Sequence, residues 1–127
     1  MPQYRNYLLC MGATACGVLL MGAVSVSACP SAAADDVGYL INTLTRPGYN
    51  FPHAAAALEY GRGICDKVSA GRSFPAIMAD VRADLNTNDD YQATYLVSQA
   101  VDELCPAEIW QLRSSAAHYQ SPPGVNP

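Results

Sequence analysis

The cysteines are the residues of this chain with the clearest chemistry. Of the five, Cys10, Cys16 and Cys29 lie in or directly after an apolar N-terminal run, which leaves Cys65 and Cys105 in the rest of the chain. An even pair in a chain that reaches an oxidising compartment favours a disulfide. A metal or redox pair is the alternative, but neither cysteine has a second Cys or His at ligand spacing, and no C-x-x-C occurs. We therefore predict a Cys65–Cys105 disulfide.

Other residue types that do chemistry are few and lack partners in the sequence. His53 and His118 are the two histidines, and no motif supplies either with a nucleophile or an orienting carboxylate. General-base catalysis needs such a partner within hydrogen-bond reach, so we expect capping or surface roles for both. Asp80 and Asp84 are one helical turn apart, but two carboxylates are too few for a calcium site. The sequence predicts no catalytic residue, no metal and no cofactor, and hence no enzyme.

Three aromatic residues are candidates for binding. Tyr91 and Tyr95 are one helical turn apart on the predicted outward side of a helix, and Trp110 lies beyond Cys105. Tyrosine and tryptophan are enriched at binding hot spots because they combine contact area with a polar tip. We hypothesise that these residues bind a protein partner. The alternative is that they cover the rim of an undersized core.

The first 34 residues have the pattern of an export signal. A start with Arg5 and no acid precedes an uncharged, largely apolar run over residues 8–26, and the first acid is Asp35. Cleavage after Ala34 would release a domain that begins at Asp35. The sequence V-S-A-C ending at Cys29 also resembles a bacterial lipobox, in which case the signal is residues 1–28 and Cys29 is lipidated. An uncleaved anchor is the third alternative, because about 20 apolar residues can span a bilayer.

All three outcomes place the remaining chain outside the cytoplasm, in the cell envelope or the medium. The chain carries eleven Asp and Glu against seven Lys and Arg, a formal net charge of −4. Its basic residues are scattered and form no stripe, so nucleic-acid binding is disfavoured. We expect membrane contact only through the signal or a lipid anchor. The excess of acidic over basic residues favours solubility and points towards a cationic partner.

The remaining residues are enough for one domain, which we assign to residues 35–115. Apolar residues recur there with helical spacing, and no segment alternates with the period of a strand. A first helix is predicted with Val37, Leu40, Ile41 and Leu44 on its buried face. A second begins near Asn50 or Phe51 and ends by Gly71. Further helices are predicted over residues 73–85, 89–104 and 107–113. Residues 116–127, rich in proline, are predicted to be a disordered tail.

The fold class predicted from this pattern is all-α, a single small bundle of four to five short helices linked by Cys65–Cys105. A loop of about 40 residues closed by a disulfide stabilises a domain by about 4 kcal/mol in the chain-entropy model. The disulfide would compensate for the limited stability that the small core of a domain of this size provides.

One further pattern runs through residues 35–106. Its residues are Asp35-Asp36, Leu40, Leu44, Gly61-x-x-x-Cys65, Gly71, Gln92-Ala93, Leu96-Val97, Ala100 and Cys105-Pro106. With this pattern the chain resembles a family of small exported proteins, abundant in mycobacteria, described as domain of unknown function 732, and it departs from that family at the Cys29 lipobox. The resemblance implies a disulfide-linked helical fold in the envelope or medium and carries no catalytic residues over.

From these observations we expect an exported, non-enzymatic binding module with a protein partner in the bacterial cell envelope. The alternative is a lipoprotein that carries a small ligand or a lipid, which would need an apolar cavity between helices. The small residues along the second helix favour close packing over a cavity.

Overall fold

A computed structural model describes residues 32–127, with side chains from Asp35 onward. Residues 1–31 of the predicted export signal, with Cys29 among them, lie outside the described residues. The described part folds into five α-helices without a β-sheet, which confirms the predicted all-α bundle. They are α1 (Ala32–Leu44), α2 (Ala54–Ser69), α3 (Phe74–Leu85), α4 (Asp90–Gln99) and α5 (Ile109–Ala116). A π-helical turn (Ala100–Leu104) continues α4, and a 3₁₀ turn (Pro106–Glu108) precedes α5.

Local capping sets the start of α2, the end of α3 and the start of α4. Asp89 caps α4 by accepting the backbone N–H of Gln92 at 3.2 Å, and Asn86 ends α3 in the left-handed conformation that asparagine tolerates. The second helix begins at Ala54 and not near Phe51. His53 has an extended backbone and its Nδ1 accepts the N–H of Ala56 at 3.1 Å, so the cap, and not the preceding proline, sets the start.

The core lies where α2, α3, α4 and the π turn meet, with α1 packed on α2 and the π turn and α5 packed on α3. None of the helices within residues 32–127 combines the length and the apolar character needed to cross a bilayer. The largest fully buried side chains are Tyr39, Ile64, Ile77, Met78, Leu96, Val68, Val81, Val97, Val101 and Thr43.

The face of α1 that packs on the core is only partly the predicted one, because of the four predicted residues Leu40 packs against the core and the other three do not. Tyr39 and Thr43 are fully buried, whereas Val37 and Ile41 are more than half exposed and Leu44 is 41 % exposed. The hydroxyl of Thr43 donates to the backbone oxygen of Tyr39 at 2.8 Å, which satisfies its polar atom inside the core. Burying one aromatic ring removes more apolar area from water than any one of the aliphatic side chains would.

A glycine in α2 receives that ring. A Cβ atom on Gly61 would lie 2.7 Å from Cζ of Tyr39 and 2.7 Å from Cδ1 of Leu104. Non-bonded carbon atoms do not come this close to each other. Only glycine therefore allows α1 and the π turn to approach α2 at this position. The small residues predicted to permit close packing do so at this position.

The disulfide joins α2 to the end of the π turn, as predicted. The Cα atoms of Cys65 and Cys105 are 6.0 Å apart, and the backbone oxygen of Ala100 lies 3.6 Å from Sγ of Cys65. The bond therefore ties the middle of the chain to the segment that follows α4.

The C-terminal segment, for which composition predicts disorder, lies against the start of α4. Asn126 donates its backbone N–H to the oxygen of Asn88 at 2.7 Å and accepts the N–H of Asp90 at 2.8 Å. The side chains of Tyr119 and Ser121 donate to the carboxylate of Asp90. These hydrogen bonds hold the segment against α4, although its prolines lack the backbone N–H groups that regular secondary structure needs.

Candidate functional site

Two of the predicted binding residues lie on one surface around a cation that the sequence did not single out. Arg46 follows α1, and its guanidinium carbon lies 3.7 Å from the ring centroid of Tyr95 and 6.0 Å from that of Tyr91. The ring of Tyr95 also lies nearly parallel to that of Tyr49, with centroids 6.5 Å apart. Arginine over a tyrosine face is a favourable cation–π arrangement. We call Arg46, Tyr49, Tyr91, Gln92 and Tyr95 the Arg46 surface.

The connection between α1 and α2 positions this surface. Tyr49 is 7 % exposed, and its hydroxyl donates to the backbone oxygen of Gln92 at 2.6 Å. Gly48 has a φ of 98°, and a Cβ atom there would lie 2.0 Å from Nε2 of Gln92. This left-handed backbone conformation favours glycine, and a larger residue would also have to displace the end of the Gln92 side chain. The result is a fixed path that brings Arg46 onto the two tyrosines of α4.

Electrostatics fix the protonation states of the Arg46 surface. Burial raises the pKa of Tyr49 to about 12, so its phenol stays neutral. Tyr91 contributes most to raising the pKa of Arg46, whose guanidinium is charged at any physiological pH. The surface thus presents one permanent positive charge beside aromatic rings, an arrangement that suits binding.

The two α4 tyrosines differ in exposure. Tyr91 is 63 % exposed, whereas Tyr95 is only partly exposed because it lies between Arg46 and Tyr49. Tyr91 and Gln92 also line an open groove of about 440 Å³ between α4 and the connection. The free ring of Tyr91 is therefore the part of this surface most able to contact another molecule.

Trp110, the third predicted binding residue, belongs to another part of the molecule. It lies on α5, is 76 % exposed, and its nearest described cation is Arg113, 5.7 Å from the ring centroid. Helix α5 packs against α2 and α3, whereas the Arg46 surface lies on α4 and the α1–α2 connection. The structure does not bring Trp110 together with the two tyrosines.

The histidines have structural or peripheral positions. His53 caps α2, and His118 is exposed beyond the end of α5. Within residues 32–127 no group of three or more His, Cys, Asp or Glu side chains is arranged to hold a metal ion.

The most buried carboxylate belongs to a polar cluster that holds the C-terminal segment. Asp90 pairs with Arg82 and accepts hydrogen bonds from Tyr119 and Ser121. Burial opposes ionisation of Asp90, but the hydrogen bonds from Ser121, Tyr119 and Arg82 outweigh it, so the pKa of Asp90 lies below its ordinary value. Every oxygen of this carboxylate is occupied by a partner within the fold.

Sequence reasoning missed Arg46 and Tyr49 as site residues. An arginine and a tyrosine flanking a Pro-Gly turn indicate a candidate binding site. The residues of α4 that they contact lie far along the chain, however, so these contacts follow only from the fold.

A family model described as a protein of unknown function, DUF732, matches residues 34–107. The match contains both cysteines of the disulfide and the whole Arg46 surface, whereas Trp110 and the C-terminal segment lie beyond it. Searches of curated proteins and of solved structures found no match. Because the family model covers more than half of the chain, this protein belongs to the family of the domain of unknown function DUF732.

Proposed function

We propose that this protein is an exported, non-enzymatic binding module that captures a protein partner in the bacterial cell envelope through the Arg46 surface. The observation that carries the proposal is the exposed ring of Tyr91 beside the charged guanidinium of Arg46. Tyrosine and arginine are the residue types, with tryptophan, that most often dominate binding energy at protein interfaces.

The surface is organised before a partner arrives. Tyr95 is held between Arg46 and Tyr49, and Tyr49 is fixed by its hydrogen bond to α4. Fewer side chains then lose conformational freedom on binding, which increases affinity for a given contact area. Export is supported by the pattern of the first 34 residues and by the disulfide, which persists in oxidising compartments.

A carrier of small ligands or lipids is the alternative, and it fits the packing less well. A carrier needs an enclosed apolar cavity between helices. The contact between α1, α2 and the π turn is instead closed around Gly61, where even one added methyl group would overlap its neighbours. The grooves described on the surface, such as the one lined by Phe51, Tyr60 and Lys67, are open to solvent.

The experiment compares capture of envelope proteins by the wild type and by single variants of the exported, disulfide-bonded protein. Tyr91→Ser and Arg46→Gln should each reduce the recovery of a specific partner by about tenfold, as expected for hot-spot residues. Their circular dichroism should match the wild type because both side chains lie at the surface. Trp110→Ser, measured in parallel, tests whether the partner also contacts α5.

Unchanged recovery with both Tyr91→Ser and Arg46→Gln would refute the assignment of the binding surface. Recovery of a lipid and no protein with the wild type would favour the carrier.

A further inference from the structure

Arg46 is a cation without a carboxylate partner within residues 32–127. Most other lysine and arginine side chains of that range form ion pairs with acids of the same chain: Arg62, Lys67, Arg72 and Arg82. Arg46 and Arg113 do not, and each has its guanidinium over an aromatic ring instead. Arg113 is exposed to water, whereas Arg46 is only partly exposed. A charge that has lost part of its water gains more from a counter-charge than a fully hydrated charge does.

The contacts of Arg46 favour a carboxylate as that counter-charge. Its guanidinium carbon lies 3.7 Å from the ring centroid of Tyr95, so the group rests on the face of this ring. A ring face attracts the positive charge but does not satisfy the five N–H donors of arginine. The pKa of Arg46 is raised by tyrosine side chains, Tyr91 most of all, and burial opposes this effect. A carboxylate fits such a group because its two oxygens match two parallel N–H groups.

The groove beside Arg46 limits the occupant to one acid. This groove of about 440 Å³ between α4 and the α1–α2 connection is lined by Arg46 and also by Asp89. Oδ1 of Asp89 accepts the backbone N–H of Gln92, and within residues 32–127 Asp89 forms no ion pair. The other lining residues, such as Pro47 and Tyr91, are uncharged. A second acid in the occupant would meet the charge of Asp89, so a single acid among apolar residues fits the groove better than an acidic run does.

The same charges disfavour other occupants. A basic segment would place a like charge against Arg46. An anionic lipid surface or a second copy of the chain would meet many of its acids at once, and acids exceed basic residues in this chain. A short acidic segment meets only the groove, because screening at physiological ionic strength limits the action of exposed charges to about 8 Å.

We infer that the Arg46 surface binds a segment of its protein partner in which one Asp or Glu side chain lies among apolar residues. The carboxylate of that side chain accepts two N–H groups of Arg46, and an apolar neighbour covers the exposed ring of Tyr91. This inference rests on the proposed function and adds the chemistry of the partner. The charge of the whole chain points towards a cationic partner, whereas this surface favours an acidic one.

The probe is a phage-displayed library of random peptides of about 12 residues, long enough to span the groove when extended. It is selected on the exported, disulfide-bonded protein. Peptides that bind the wild type but not Tyr91→Ser bind at the Arg46 surface. We expect these peptides to share one Asp or Glu flanked by apolar residues. Selection on Arg46→Glu should instead yield Lys or Arg at that position, because the sign of the charge is reversed.

Fluorescence anisotropy with one selected peptide measures the contribution of its carboxylate. Replacing the acid of the peptide by the corresponding amide should weaken binding to the wild type by about tenfold and to Arg46→Gln by less than about twofold. The change in the peptide leaves the protein intact, so this result does not depend on how a variant folds. Arg46→Lys should restore only part of the affinity, since lysine lacks the planar fork of arginine.

Two further variants separate the charge of the groove from general effects. Arg113→Gln removes the other arginine that lies over an aromatic ring and should leave peptide affinity unchanged. Asp89→Asn keeps a good capping residue at the start of α4 but removes a negative charge from the groove, so it should strengthen binding of the same peptide.

Tyr91-dependent peptides that share no acid, or whose amide form binds equally well, would overturn the inference and leave the proposed function intact. Failure to select any Tyr91-dependent peptide would overturn it as well. The proposed function itself fails only when capture of envelope proteins does not depend on Tyr91 and Arg46. Cosedimentation with phosphatidylglycerol vesicles, or a dimer in analytical ultracentrifugation, that Arg46→Gln abolishes would assign the surface to a lipid or to a second copy and would also overturn the inference.

Discussion

Asp90 is a single residue on which two parts of the chain depend. Its side chain is 5 % exposed and that of its partner Arg82 is 12 % exposed, so their charges are largely removed from water. The same carboxylate accepts hydrogen bonds from Tyr119 and Ser121, which belong to the C-terminal segment. Removing one partner of such a buried ion pair leaves the other charge buried without compensation, which destabilises the fold.

We expect Asp90→Asn to lower the free energy of unfolding by about 3 kcal/mol at neutral pH, because Arg82 would remain buried without its counter-charge. The pKa of Asp90 is lower in the folded protein than the value of about 3.9 in an unfolded chain. Its stabilising effect is therefore complete above the unfolded pKa and is lost as pH falls through the folded pKa. The stability difference between wild type and variant should shrink below about pH 4.

Chemical denaturation from neutral to acid pH measures this difference. Asp66→Asn, at an exposed position on α2, is the control and should change stability by less than about 0.5 kcal/mol. A difference between wild type and Asp90→Asn that stays constant down to about pH 3 would contradict the assigned role.

At the scale of elements, the packing of α1 and the π turn on α2 depends on Gly61. Gly61→Ala should lower the free energy of unfolding by about 1–3 kcal/mol, because its methyl group would overlap Tyr39 and Leu104. Gly63, on the same helix, has no neighbour within 4 Å of an added Cβ atom. Gly63→Ala should therefore stabilise the protein by up to about 1 kcal/mol.

Thermal unfolding of the two variants provides a matched comparison within one helix. Equal shifts of the melting temperature in the same direction would show that close approach at Gly61 does not determine this packing.

The sequence predicted the helices better than it predicted their orientation. Caps and turns such as Asp89 and Asn86 act locally, so the boundaries of α3 and the start of α4 follow from a few neighbouring residues. The buried face of α1 does not, because two sets of residues have helical spacing. Tyr39 and Thr43 compete with Val37 and Ile41, and only the space above Gly61 in α2 favours the first set.

The part of the candidate site that lies on one helix could be predicted from the sequence, whereas the part that depends on long-range contacts could not. Tyr91 and Tyr95 share one helix, so their proximity follows from the period of that helix. The position of Arg46 depends on a connection whose path is set by Gly48 and by the hydrogen bond of Tyr49 to α4. The pairing of the C-terminal segment with Asp90 is also long-range, and composition alone predicts disorder there.

At the scale of the whole molecule, the disulfide joins two segments separated by 40 residues in sequence. Replacing both cysteines, Cys65→Ser/Cys105→Ser, should lower the free energy of unfolding by about 4 kcal/mol, because the unfolded chain regains the entropy of an open loop. Denaturant titrations of oxidised wild type, reduced wild type and the double variant measure this effect.

Oxidised and reduced wild type should differ in their free energy of unfolding. That difference should be nearly as large as the one between oxidised wild type and the double variant. Equal midpoints for all three would show that the bundle does not depend on its covalent link.

The proposed function concerns the surface of the assembled molecule, and site-specific photo-crosslinking in living cells tests it most directly. A benzophenone amino acid in place of Tyr91 keeps an aromatic side chain at the exposed position, and the same group in place of Asp66 on α2 serves as the control. We predict that illumination links a protein of the cell envelope to position 91 and not to position 66, and that Arg46→Gln abolishes the product. No protein product at position 91, or the same product at both positions, would contradict the claim that this module works by binding through the Arg46 surface.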